Sequence, residues 1–337
     1  VVASGSGRWE QSGAQLRLAD EGQDGFVAVA AVPDAENTSW LPALRRSVAS
    51  PVTTTTASSR YDGRHGQVIQ QLRVVRERHG PGLLALLPHQ WRTLDPSGMM
   101  PVAGRYLDPR GSLRLVEAET VTLRVPMPGL LPGPPVLPNG SRAAVARDAA
   151  ADLAQRGDAG GGSYFGFKEL GRLATVAEVA GQIGDASARQ QALKRLRRLL
   201  VDWLTYNGRG DARYFGYDRT WGGLIAIPAE FGSQDYNDHH FQYGYLVRAA
   251  ATLARTDHGF VRDYGPVVDL VVQDYAGGRG PEGLPTNRVF SPYLGHSLAS
   301  GFASFASGNN QESSSEAVAA WEAVVRWGGA SGQPDLV

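Results

Sequence analysis

The stretch Pro126-Met-Pro-Gly-Leu-Leu-Pro-Gly-Pro-Pro-Val-Leu-Pro-Asn-Gly140 separates two halves of the sequence that have different rhythms. Pro126, Pro128, Pro132, Pro134, Pro135 and Pro138 lack amide donors, and proline stops both helices and central strands. A domain boundary is therefore placed here. On its N-terminal side apolar residues alternate or run in short bursts: Val27, Val29 and Ala31 near Gly25, then Val68 to Val75, Leu83 to Leu87, and Leu113 to Val125. That pattern predicts many strands and suggests a sandwich. Thr53 to Thr56, with Ser58 and Ser59, read as a polar loop.

On the C-terminal side the period becomes helical. Leu193, Leu196, Leu200 and Trp203 form one stripe. Tyr243 to Ala254, Phe260 to Tyr275 and Ala317 to Val325 form three more. The basic residues Lys194, Arg195, Arg197 and Arg198 lie mostly off the first stripe and read as a solvated face. No strands alternate with these helices, which argues against a doubly wound sheet. Gly157, Gly160, Gly161 and Gly162 lack the Lys-Ser/Thr ending of a phosphate loop and read as a flexible loop.

Composition narrows the function. Lys+Arg and Asp+Glu both total 33, so there is no basic excess for nucleic acid. A neutral polymer fits better. The absence of cysteine excludes disulfides, thiolate metal sites and a Cys nucleophile. No apolar run approaches the ~20 residues that span a membrane. The chain opens on Val1-Val2 within strand-forming sequence, so a longer natural N-terminus, with any export signal, is expected.

Two segments concentrate chemistry. In Gln234-Asp-Tyr-Asn-Asp-His-His-Phe-Gln-Tyr-Gly-Tyr245, acid, imidazole, amide and phenol groups crowd together before a helix. Such density favours a polar cleft, because each group needs a partner when buried. Asp238 is either a general acid with a raised pKa or a helix N-cap. His239 and His240 invite a metal reading, but adjacent side chains diverge and no His-x-x-x-His accompanies them. In Gly308-Asn-Asn-Gln-Glu-Ser-Ser-Ser-Glu-Ala317, Ser313 and Glu316 fit a capping box, while Glu312 precedes the cap. A carboxylate near a helix N-terminus is favoured in its ionised form, as a general base requires. Asp238 as acid and Glu312 or Glu316 as base would suit glycoside hydrolysis. Tyr214, Phe215, Tyr217 and Trp221 either pack as a core cluster or offer faces to sugar rings.

Asn237-Asp-His-His-Phe-Gln-Tyr-Gly-Tyr245 resembles the glycoside hydrolase family 81 stretch Asn-Asp-His-His-Phe-His-Tyr-Gly-Tyr. Asn309 to Ala317 resembles that family's second catalytic segment, and Tyr293-Leu-Gly-His-Ser297 with Ala299-Ser-Gly301 is similar to the stretch between them. Weaker echoes lie at Tyr61 to Arg64, Leu87 to Trp91, Pro109 to Gly111, Lys168 to Leu170 and Trp221 to Ile225.

The resemblance implies inverting, endo-type cleavage of β-1,3-glucans such as laminarin, curdlan and fungal wall glucan, by a secreted monomer that uses no metal or organic cofactor. It implies an N-terminal β-sandwich over residues 1–125, a linker and small middle α/β region over 126–185, and part of a C-terminal (α/α)6-type barrel over 186–337. Fewer than twelve helices are legible before Val337, so a fragment truncated at both ends is expected. By position Asp238 matches the family's acid, and Glu312 and Glu316 match its two essential glutamates. His239, His240, Tyr243, Tyr245, His296, Tyr217 and Trp221 are expected at the substrate. Gln242, Ser291 and Leu298 depart from the family's His, Asp and Trp. Ser291, Leu298 and the incomplete barrel keep open a non-catalytic glucan-binding protein or an inactive fragment, with a polysaccharide lyase using His296 and a Tyr as a third reading.

Overall fold

The computed structural model describes residues 2–4, 8–19, 28–30, 32, 39–97, 99–129, 133–135, 138, 140–155, 161–277, 283–301 and 309–337. Val27, Ala31, Gly25, Pro132, Gly157, Gly160 and Gly308, which the sequence reading invoked, lie outside them. The chain is a mixed β and α structure that divides into two units. One comprises Val1–Gly129 with Pro292–Leu294, and the other Leu130–Ser291 with Gly295–Val337. Among the described residues no helix is long and apolar enough to cross a membrane.

The first unit carries β1 (Val2–Ser4), β2 (Trp9–Ser12), β3 (Gln15–Leu18), β4 (Ala28–Ala30), α1 (Leu41–Val48), β5 (Val52–Asp62), β6 (Gln67–Arg76), β7 (Gly82–Leu86), α2 (Pro88–Arg92), β8 (Met100–Asp108), β9 (Gly111–Ala118) and β10 (Thr120–Pro126). Two antiparallel three-stranded sheets dominate, ordered β10-β6-β5 and β7-β9-β8. Leu72, Leu86, Val116, Val121 and Leu123 form one core, and Trp40, Leu44 and Leu115 another. The Thr53–Thr56 stretch, expected as a loop, is instead part of β5 and pairs with β6 through Thr54↔Val75 to Ser59↔Gln70. β5 is an edge strand with both faces exposed, so it shows no apolar alternation. β-Branched threonine nevertheless favours the extended backbone.

The second unit carries α3 (Arg142–Ala154), α4 (Ser163–Ile183), α5 (Ala186–Leu204), β11 (Tyr214–Asp218), β12 (Gly223–Ile227), α6 (His239–Ala254), α7 (His258–Ala276), β13 (Phe290–Ser291), β14 (His296–Ser297) and α8 (Ser314–Ser331). The four apolar stripes fall on α5, α6, α7 and α8. One core joins Phe167, Leu170, Leu196, Trp203, Tyr243, Leu246, Phe260, Val268, Tyr275 and Trp327. Beyond Pro126, the last residue of β10, the stretch expected as a linker and middle α/β region holds α3 and α4, and no further strand among the described residues. The hairpin β11–β12, unforeseen in the helical half, sits between α5 and α6.

The helix starts are chemically specified. Asp185 accepts from the Ala188 amide at 2.9 Å and Asp257 from that of Phe260 at 2.9 Å, capping α5 and α7. Glycine is needed at Gly244, where a Cβ would lie 2.7 Å from Ala320. That contact lets α6 and α8 approach backbone to backbone and brings their N-termini together.

Candidate active site

Asp238 immediately precedes α6, and Glu316 lies in the first turn of α8. A short backbone relay joins the two segments. The Asp238 amide donates to the Ala299 carbonyl at 2.8 Å, and the Ala299 amide donates to that of Asn310 at 2.8 Å. Asn309 locks the join: its side chain accepts from the Ser300 amide at 3.1 Å and donates to the Ser300 carbonyl at 2.9 Å.

Asp238 occupies the N-cap position of α6 without capping it. Its backbone is left-handed, at φ 58° and ψ 17°, and its side chain makes no cap hydrogen bond. Side-chain capping needs an extended N-cap residue, so this backbone turns the carboxyl away from the helix amides. Oδ1 is buried with no hydrogen-bond partner among the described residues. Burial pushes the carboxyl up to about 7, and the charges of Glu312 and Glu316 add to the rise, while His239 opposes it. The cause that dominates is desolvation of the charged form.

The two glutamates differ. Ser313 caps α8 by accepting from the Glu316 amide at 3.4 Å. The Glu316 carboxylate does not return the bond as a capping box would. Its Oε1 accepts from the Tyr245 hydroxyl at 2.8 Å and from that of Tyr164 at 3.5 Å. Lys168 Nζ donates to the Tyr164 hydroxyl at 3.1 Å, so an ammonium ends this chain. Glu312 is exposed, has a left-handed backbone at φ 57°, and has no hydrogen-bond partner among the described residues.

Behind Asp238 lies a buried ionic network. His239 Nδ1 is 2.6 Å from Asp274 Oδ2, and its Nε2 is 2.8 Å from the Ser233 carbonyl. Asp274 Oδ1 also accepts from the Leu224 amide at 2.9 Å and lies 3.5 Å from Arg288. Arg288 donates to the carbonyls of Gly222 and Asp274, and its guanidinium stands 4.1 Å from the centre of the Tyr236 ring.

Three residues expected at the substrate are placed otherwise. His239, His240 and Tyr243 have no exposed surface and lie beneath the surface on which a saccharide was expected. His240 is held neutral: burial and the neighbouring His239 charge lower it to about 3. Tyr243 donates to the Leu224 carbonyl at 2.7 Å and accepts from the Ala226 amide at 3.1 Å, pinning β12 to α6. The aromatic cluster of β11 splits. Phe215 packs against Phe167 and Tyr243, whereas Tyr217 is 48% and Trp221 75% exposed. His296 is part-buried in β14 and bonds the Ser297 carbonyl. The described contacts do not bring it to the carboxylates. Among the described residues no group of three or more His, Cys, Asp or Glu side chains could hold a metal.

Sequence reasoning missed Tyr164, Asp274, Arg288 and Glu230. Asp274 left a signal, since an acid adjoins the apolar stripe of α7 between Val271 and Tyr275. The others left none, because their roles arise only in the fold.

Residues 139–337 match the family model described as the glycosyl hydrolase family 81 C-terminal domain. The chain is 38% identical over 320 residues to a glucan endo-1,3-beta-D-glucosidase of Thermobifida fusca, covering 92% of this chain and 41% of that protein. It is 40% identical over 260 residues to one of Acetivibrio thermocellus, covering 75% of this chain and 33% of that protein. A solved structure, a point mutant of a glycoside hydrolase family 81 protein from Clostridium thermocellum, matches with a TM-score of 0.89 at 31% identity. That match covers 99% of this chain and 48% of the other. The chain thus spans less than half the length of each of these proteins.

Proposed function

The chain belongs to glycoside hydrolase family 81, and from that membership and the carboxylate geometry we propose that it hydrolyses internal β-1,3-glucosidic bonds of β-1,3-glucans with inversion. The observation that carries the reading is the meeting of three carboxyl groups where α6 and α8 begin, one of them held protonated to about pH 7. Asp238 donates its proton to the departing glycosidic oxygen. A glutamate removes a proton from the water that attacks the opposite face of the sugar, leaving an α-configured product. Glu312 is the better placed to receive that water, because its side chain is solvent-exposed while Glu316 already accepts from two phenols. Glu316 then fixes Tyr164 and Tyr245 around the reacting sugar. No cofactor is assigned to these steps.

The same reading extends to the whole. The two three-stranded sheets are proposed as part of a sandwich, and the helices from α3 onward as part of an (α/α)6-type barrel. Tyr217, Trp221 and His296 are proposed as further saccharide contacts. The protein would work as a secreted monomer on laminarin, curdlan or fungal wall glucan. The test is digestion of laminarin and curdlan, with the first-formed anomer read by NMR. Release of oligosaccharides with the α-anomer first is expected. A β-anomer first would refute inversion, and curdlan binding without reducing-sugar release would favour the binding-protein alternative.

A further inference from the structure

Next to Glu316 stands an aromatic trio in which only Tyr164 touches the carboxylates, while Phe165 and Phe231 serve neither them nor the core. Tyr164 and Phe165 open α4, and Phe231 comes from the loop that follows β12. The rings meet edge to face, with centroids 4.9 Å apart for Tyr164–Phe231, 5.3 Å for Tyr164–Phe165 and 5.9 Å for Phe165–Phe231. Each such contact covers one ring face with another ring's edge and leaves the remaining faces free of ring stacking. Phe165 is 47% and Phe231 57% exposed.

A single exposed phenylalanine needs no explanation. Phe231 has a second peculiarity: its backbone is left-handed, at φ 53°. A residue with a Cβ adopts that conformation at a cost, and here little ring burial compensates it. The conformation is nevertheless fixed. The Phe231 carbonyl accepts from Asn237 Nδ2 at 2.9 Å. The preceding residue, Glu230, is held at every polar atom but one: its carboxylate Oε2 accepts from the Tyr164 and Phe165 amides at 2.8 and 2.9 Å, its amide donates to Ser163 Oγ at 3.0 Å, and its carbonyl accepts from Gln242 at 3.1 Å. One side chain thus caps α4 and ties both phenylalanines into a single rigid surface. Strain retained to present an exposed group is a mark of a working surface.

We propose that Tyr164, Phe165 and Phe231 form a sugar-binding platform, on which one glucose ring of the glucan chain lies beside Glu316. The surface is continuous with the catalytic centre, because the Tyr164 hydroxyl is 3.5 Å from Glu316 Oε1 and also accepts from Lys168. Apolar ring faces cover the C–H face of a pyranose, while the phenol and ammonium at the rim meet its hydroxyls. The occupant follows from this continuity, and the inference rests on the proposed glucan hydrolysis.

The test is steady-state hydrolysis of laminari-oligosaccharides by the wild-type chain and by Phe231→Ala, Phe165→Ala, Phe231→Gly and Phe231→Tyr, each checked by thermal melting. Loss of an aromatic face should raise KM roughly three- to tenfold, falling on KM more than on kcat. Phe231→Gly should lose the same affinity while melting no lower than Phe231→Ala, since glycine accepts the left-handed backbone. Phe231→Tyr, which keeps the ring, should recover most of the loss. If the wild type cleaves and the Ala and Gly variants keep its KM, the platform is refuted and the hydrolase reading stands. A fall in kcat at unchanged KM would make these rings supports of Glu316 and likewise refute the platform. A wild type that neither binds nor cleaves the oligosaccharides would overturn both readings.

Discussion

Replacing Asp238 by Asn should abolish most turnover and, at alkaline pH, stabilise the protein. The Asp238 carboxyl is raised from 3.8 to about 7 by burial and by the charges of Glu312 and Glu316. Between those values the folded chain holds a proton that the unfolded chain releases. Stability therefore falls as pH rises through that window, and the loss is complete above about pH 7. A rise of that size corresponds to at most about 4 kcal/mol. The carboxyl is only part-buried, so solvent screening reduces the expected figure to about 2 kcal/mol. Asparagine has the same shape and no charge. It should relieve the cost at pH 8 and change little at about pH 3.5, where the folded and unfolded chains both hold the proton.

In a domain of this size that predicts a Tm for Asp238→Asn higher by about 4–8 °C at pH 8, and nearly equal to wild type at about pH 3.5. Removing a general acid should also lower kcat by about 10²–10⁴-fold. In the wild type, activity should decline above about pH 7 as Asp238 loses its proton. Paired thermal melts and laminarin assays at the two pH values check all three. A Tm difference independent of pH would refute the electrostatic account of Asp238, and wild-type-like turnover would refute its role as acid.

Asp274→Asn should destabilise the second unit by about 3–5 kcal/mol, read by urea unfolding, because it leaves His239 buried without its carboxylate; a change below about 1 kcal/mol would mean that the network is not held by charge. Gly244→Ala should cost about 1–3 kcal/mol and lower kcat, because the added methyl would lie 2.7 Å from Ala320 and force α6 from α8, separating Asp238 from Glu316. Wild-type kcat and Tm in that variant would show that the helix contact does not set the carboxylate geometry.

Where local pattern and tertiary environment agree, the sequence was legible. The α5, α7 and α8 stripes are long and bury one face, so their period survives, whereas α6 is buried on nearly every side. α4 was hidden because Gly166, Gly171 and Gly181 dilute its helical signal. Two of these glycines answer to packing: a Cβ on Gly171 would lie 2.8 Å from the Tyr245 ring, and one on Gly166 3.1 Å from Trp203. Propensity reads such residues as breaks, while helix packing requires them. In β5 the opposite holds, since Thr53 to Thr56 carry strand propensity but no buried face to write an alternation.

The acids of the site were legible as types, but their environments were not. The sequence placed Asp238 before a helix and left its role divided between cap and acid. The left-handed backbone at Asp238 decides that local question, because it denies the side chain its cap bonds. The histidines beside it could not be assigned without knowing which way they face. Desolvation of Asp238 itself, aided by the charges of Glu312 and Glu316, explains why its carboxyl can stay protonated. A cation in direct contact would favour ionised Asp238, yet the positive groups nearby are engaged elsewhere: His239 and Arg288 with Asp274, and Lys168 with Tyr164. His239 is the only one that lowers the Asp238 pKa, and it does so less than burial and the two glutamates raise it. Asp238 therefore stays protonated through its own desolvation, against the one charge that opposes it.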